Sequence, residues 1–147
     1  MRQYPVVLEV RVTDKGEQVR ATTDIERAMK NAKSLEDELR CIELDYSSTL
    51  AAVRGLLGST GKGRFRDPRV FWFVGKFLAE FIRRLELHGF YLVDKNKTPA
   101  KHLGISRASI EKMIAFYRRY DDPFQIDVSV PWCVYRDNKE FRVKMQT

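Results

Sequence analysis

Residues 98–120 read TPAKHLGISRASIEKMIAFYRRY, and the spacing in this stretch organises the rest of the chain around it. Two short helices that meet at a tight turn need a small residue where they cross, a residue free to adopt positive φ at the turn, and apolar anchors on both sides. Ala100 is the small residue, and Gly104, four positions later, has no Cβ to oppose a left-handed turn. Leu103 and Ile105 flank the glycine as anchors. Ser106 is an N-cap residue type, whose hydroxyl can take a free N–H of the first turn, and Ile110, Met113, Ile114 and Tyr117 recur behind it at helical spacing. The pattern predicts helices over 98–103 and 106–120, with Arg107, Ala108, Ser109, Glu111 and Lys112 on the outer side of the second.

Upstream of this pair, Asp67 and Pro68 are suited to start a helix, because an aspartate accepts from free N–H groups and a proline has none to satisfy. Phe71, Val74, Leu78, Phe81, Ile82 and Leu85 then form one stripe, widened by Trp72, Phe73 and Phe77. Gly75 inside that stripe costs about 1 kcal/mol against alanine, which predicts close approach of another backbone. His88-Gly89 ends the helix, and Phe90–Val93 has strand length. Downstream, Asp121-Asp122-Pro123 stops the second helix of the pair, and Phe124, Ile126, Val128 and Val130 alternate. That alternation, with WCVYRDNKEFRVKM over 132–145, predicts an antiparallel hairpin from 124 to 145, turning at Arg136-Asp137-Asn138-Lys139.

At the N-terminus, Val6, Leu8, Val10 and Val12 alternate along a strand, Asp14-Lys15-Gly16 signals a turn, and Glu17–Thr22 returns as a weaker strand. Thr23-Asp24-Ile25-Glu26 fits a capping box. Behind it, Ile25, Ala28 or Met29, Ala32, Leu35, Leu39, Ile42, Tyr46, Leu50, Val53 and Leu57 keep a spacing of threes and fours. A stripe that long predicts a partner surface, and residues 24–57 are expected to pair two chains. The other reading is a helix broken near Ser47-Ser48 and folded onto its own domain. The predicted organisation is an N-terminal packing element over 1–60 and a second unit over 61–147. The expected class is α+β and mainly helical: a winged helix-turn-helix with a small antiparallel sheet or hairpin and a long N-terminal helix.

Charge follows the same division. Residues 1–60 carry nine Lys and Arg against ten Asp and Glu, whereas residues 61–147 carry eighteen against ten. The whole excess of the +7 chain therefore lies in the second unit, the pattern of a polyanion-binding lobe. The sequence has no run of some 18 apolar residues, so no membrane span is expected. Cys41 and Cys133 supply neither a disulfide framework nor a zinc spacing, so a reducing cytoplasm is the expected compartment and no metal or cofactor is implied. GLLGSTGKG (55–63) lacks the glycine spacing and the hydroxyl after lysine that a phosphate-cradling loop requires, and reads as a hinge. His88 and His102 have no serine or carboxylate at a telling distance and read as structural or surface residues. The chain is therefore expected not to be an enzyme.

The core Ala100-x-x-Leu103-Gly104-Ile105-Ser106-x-x-x-Ile110 resembles the helix-turn-helix of many bacterial and archaeal regulators, with Pro99 where an aliphatic residue is often found. That resemblance implies duplex DNA as the partner, with the helix from Ser106 in the major groove and Arg107, Ser109 and Lys112 at base edges. Lys97 and Lys101, the arm residues Arg64 and Arg66, and the wing residues Arg136 and Lys139 are the expected phosphate contacts. Phe71-Trp72-x-x-Gly75-Lys76, Leu103-Gly104-Ile105-Ser106 and Phe116-Tyr117-Arg118 also resemble the helical N-terminal domain of YhcG-type proteins, which carry a PD-(D/E)XK nuclease domain. This second resemblance implies an adaptor or subunit of a defence or mobile-element complex, with a protein partner. Asp127, Asp137 and Glu140 do not assemble that nuclease's metal constellation.

Overall fold

The computed structural model describes residues 3–23, 32–59 and 67–137. Strand β1 (Tyr4–Thr13) turns at Asp14-Lys15 into β2 (Gly16–Thr22), an antiparallel hairpin in which Val10 faces Val19 and Thr13 faces Gly16. Gly16 has φ +105°, and the Thr13 hydroxyl closes the turn by donating to the Gly16 carbonyl at 3.0 Å. Val6 and Leu8 point inward and are buried, as the alternation predicts. On the other side of β1 lies β3 (Phe90–Leu92), parallel to it and in register Tyr4–Phe90 and Val6–Leu92. The sheet order is therefore β2-β1-β3.

Helix α1 (Ala32–Ser59) runs unbroken through Ser47-Ser48. Ile42, Tyr46, Leu50 and Val53 of its stripe are buried inside this chain, against the sheet and against α2 (Arg69–Leu87). Those four positions of the stripe are thus covered from within the chain, while Leu35, Leu39 and Leu57 are partly buried. The capping box at Asp24–Glu26 lies outside the described residues. Gly55 and Gly58 belong to α1, so the expected hinge cannot begin at Gly55; its remainder, 60–63, lies outside the described residues.

α2 starts beside Asp67, whose Oδ1 accepts the Arg69 N–H at 3.0 Å, and ends before Gly89, which has φ +86°. All six residues of its main stripe are buried. Helices α3 (Lys97–Leu103) and α4 (Arg107–Arg119) follow β3, close to their predicted bounds. Gly75 meets α4: a Cβ there would overlap the Met113 carbonyl, the close backbone approach its position implied. Two hydrophobic clusters result, both built on α2. One joins its C-terminal half to α1 and the sheet; the other joins its N-terminal half to α4 and the segment beyond.

The predicted hairpin over 124–145 is not formed in its described part. Pro123–Gln125 is a 3-10 turn, and α5 (Trp132–Asp137) is a helix. Two aspartates take the N–H groups that a ladder would need: Asp122 Oδ1 accepts from Phe124 N at 2.8 Å, and Asp127 Oδ1 from Ser129 N at 2.9 Å. Pro123 and Pro131 have no N–H to offer. Among the described residues the sheet joins the N-terminal hairpin to β3 and is mixed, and positions 138–145 of the expected hairpin lie outside them. The chain is α+β and mostly helical.

Candidate nucleic-acid interface

The turn between α3 and α4 is fixed by local chemistry. Gly104 has φ +69°, and the Ile105 N–H reaches back to the Ala100 carbonyl at 3.1 Å. Ser106 takes extended φ and ψ, and its Oγ accepts the Ser109 N–H at 3.0 Å and donates to Ser109 Oγ at 2.9 Å. Pro99 and Ala100 are buried, while Lys97 and Lys101 stand outward one turn apart. Proline is tolerated here because it lies in the first turn, where no intrahelical acceptor is lost.

Under the end of α3, His102 is held from α1. The Tyr46 hydroxyl and His102 Nδ1 are 2.7 Å apart, and Arg54 donates to the His102 carbonyl at 2.9 Å while gripping both oxygens of Glu17 on β2. Burial pushes the Tyr46 phenol well above its ordinary range. Burial, and then the charge of Lys101, hold the His102 imidazole below its ordinary value. His102 is thus structural, as its sequence context suggested, but its partner Tyr46 is 56 residues away, and no local pattern pointed to it.

Ile110, Met113 and Ile114 anchor α4 as expected, and Tyr117 is half-buried. Phe116 is also buried, on a flank that the inner stripe did not include, because α5 lays Trp132 and Tyr135 against it at ring distances of 5.0 and 5.1 Å. Trp132 and Tyr135 accordingly pack in the core. On the opposite side, Arg107, Ala108, Glu111 and Lys112 are exposed and Ser109 is half-buried. Arg107 pairs with Glu111 at 3.2 Å. Lys112 lies 3.5 Å from Asp137 of α5, which Arg136 holds at 2.8 Å. The Arg136 guanidinium, with help from Lys112, draws the Asp137 carboxyl down to about 2.

The structure therefore brings Ser106, Arg107, Ser109 and Lys112 onto one end of α4, with Lys97 and Lys101 on the helix before it. Arg136 joins Lys112 from a helix, not from the tip of a wing. Lys139, Arg64 and Arg66 lie outside the described residues. Lys97 and Lys101 have no ion pair among the described residues. The pairs of Arg107 and Lys112 are solvent-exposed and contribute little to stability, so a phosphate can replace either carboxylate at little cost. No group of three or more His, Cys, Asp or Glu among the described residues could hold a metal, and no described helix is long and apolar enough to cross a membrane. Cys41 and Cys133 are free thiols at the surface. Compared with protein families, curated proteins and solved structures, the chain has no match.

Proposed function

We propose that this chain is a non-catalytic, cytoplasmic duplex-DNA-binding protein in which α3 and α4 act as a helix-turn-helix. The observation that carries this reading is the first half of α4: a capped helix end whose outer side is exposed and cationic while its inner side is locked into the core. The N-terminal residues of such a helix meet base edges, with Arg107, Ser109 and Lys112 as the reading set and Lys97 and Lys101 on phosphates. Ala108 between the long side chains leaves room for close approach.

The test is a fluorescence-anisotropy titration with random-sequence duplex DNA at two salt concentrations. Binding should weaken steeply with salt, and Lys97→Ala with Lys101→Ala should lower the log–log slope by about 0.9 per lost phosphate contact. Arg107→Ala with Lys112→Ala should abolish binding with little change in melting temperature, because both residues form only exposed pairs. No binding by the unaltered chain at low salt, or a large fall in melting temperature for that variant, overturns the assignment. One observation favours a protein-binding adaptor instead: Phe124 is 85% exposed and Val128 54%, between Asp121, Asp122 and Asp127. An apolar knob with acidic neighbours suits a protein partner better than a polyanion. Tight retention of a protein partner that is lost with Phe124→Ser, together with weak, sequence-blind DNA binding, would establish that reading.

A further inference from the structure

The turn between α3 and α4 is only as rigid as what holds its two sides, because Gly104 at its centre does little to fix its own φ and ψ. On the α4 side the Ser106 cap fixes the backbone locally, through the Ser109 N–H at 3.0 Å. The α3 side has less of its own. With seven residues α3 is too short to be a stable helix alone, and the last carbonyls of a helix find no donors within it. The Ala100 carbonyl takes the Ile105 N–H at 3.1 Å. The remaining support comes from α1.

Arg54 supplies it. Its Nη2 donates to the His102 carbonyl at 2.9 Å, just before Gly104, while its Nη1 donates to the two Glu17 oxygens on β2 at 2.9 and 2.7 Å. One planar guanidinium thus joins the strand to the end of α3, a bridge that the single ammonium of a lysine does not reproduce. Further back along α1, the Tyr46 hydroxyl lies 2.7 Å from His102 Nδ1, so ring and carbonyl of the same residue are held from one helix. Tyr46 is fully buried, which keeps that helix from swinging away with the turn.

We propose that Arg54, oriented by Glu17, is a positioning residue for the α3–α4 unit: it fixes the end of α3, and Lys101 with it, relative to the first residues of α4. This inference rests on the DNA-binding reading and deepens it. Phosphate contacts on α3 and base contacts on α4 serve one duplex only when the two helices keep a set relation, so the N-terminal hairpin takes part in recognition without itself meeting DNA.

The test sets charge against position. Glu17→Gln removes a negative charge, so electrostatics alone would strengthen binding to duplex DNA. The clamp predicts the opposite, a loss of about threefold, because Arg54 no longer has its orienting carboxylate. Arg54→Lys keeps the charge and loses the bridge; it should weaken binding by about threefold to tenfold, with the log–log salt slope unchanged because no phosphate contact is lost. In the Arg54→Lys chain, Glu17→Gln should add no further loss. Amide hydrogen exchange without DNA reads the clamp directly. In both variants the Ile105 N–H should exchange faster, while the N–H groups of Ile110 and Tyr120, bonded within α4 to the Ser106 and Phe116 carbonyls, keep their rates. Tighter DNA binding by Glu17→Gln, a shallower salt slope for Arg54→Lys, an Ile105 rate that does not change, or all three amides speeding up together would each overturn the proposal. An unaltered chain that fails to bind DNA while Ile105 responds as expected overturns the DNA-binding reading and leaves Arg54 as the residue that holds the turn.

Discussion

The two hydrophobic clusters that meet on α2 are fastened by different chemistry. The one beneath the sheet is mostly aliphatic, and ionic or ionisable groups tie its elements together. Arg84 of α2 holds both oxygens of Asp45 on α1 at 2.9 and 2.8 Å, Arg54 of α1 holds Glu17 of β2, and Glu43 of α1 accepts the Ala21 N–H at 2.8 Å. The cluster between α2, α4 and α5 is aromatic. Phe71 stacks on Trp132 at 4.7 Å, Phe116 touches three other rings, and the Trp72 indole donates to the Tyr120 carbonyl at 2.9 Å. The first seam should therefore respond to pH and salt, and the second to volume. A recognition helix gains from the second arrangement, because packing that salt does not screen keeps α4 in place when phosphates and counterions crowd its outer end.

The largest effect should come from a single methyl group. In Gly75→Ala the new Cβ would overlap the Met113 carbonyl and press on Tyr117 Cβ at 3.0 Å, and backbone cannot yield as a flexible side chain does. The expected loss is about 3 kcal/mol, or roughly 10 °C in melting temperature for a chain of this size. The matched control is Gly55→Ala in α1, where nothing lies within 4 Å of the added methyl. That variant should gain up to about 1 kcal/mol from helix propensity. Thermal unfolding of both decides the matter; two substitutions of the same sign would mean that the α2–α4 seam is not tight.

Gly75 also shows what was legible in the sequence. A glycine inside a strong apolar stripe signalled close backbone approach, although only the fold supplied Met113 as the partner. The stripe of α2, the Gly104 turn, the Ser106 cap and the first three strands were equally legible, because each depends on residues within a few positions of one another. The segment 124–137 misled for a physical reason. Its apolar alternation is real, yet Asp122 and Asp127 bind the backbone locally, leaving Phe124 and Val128 exposed, while Trp132 and Tyr135 turn onto α4 as a helix. The stripe of α1 was read correctly as a packing surface, but periodicity alone does not say which chain supplies the other face.

A smaller pair of effects sharpens the contrast. Trp72→Phe removes the buried indole donor from the aromatic seam and should cost about 2 kcal/mol, nearly independent of salt. Arg84→Ala removes an exposed bidentate pair from the other seam and should cost about 1 kcal/mol or less, with the loss shrinking as salt rises. Urea unfolding of each variant at low and high salt measures both. A salt-dependent loss at Trp72, or a salt-independent one at Arg84, would erase the distinction between the seams.

The smallest effect is a pH dependence of the first seam on the acid side of neutrality. His102 faces Tyr46 and Arg54 of α1, Glu17 of β2 and its neighbour Lys101; burial foremost, with Lys101, keeps its folded-state pKa below the ordinary value of 6.5. In the unfolded chain the imidazole takes up a proton near that ordinary value, whereas the folded chain refuses it until the pH is lower. Above about pH 6.5 both states are neutral at this site, and it contributes no slope. As pH falls from there toward the depressed folded value, the unfolded state binds more protons and stability declines; below that value the curve is flat again. His102→Gln should remove this component, so the difference between the two stability curves should change only on the acid side of pH 6.5. Parallel curves would mean that His102 is solvated like any surface histidine. A parent chain that gains stability relative to the variant in acid would mean that the imidazole is protonated and Glu17 outweighs burial, reversing the assignment of that seam's pH response.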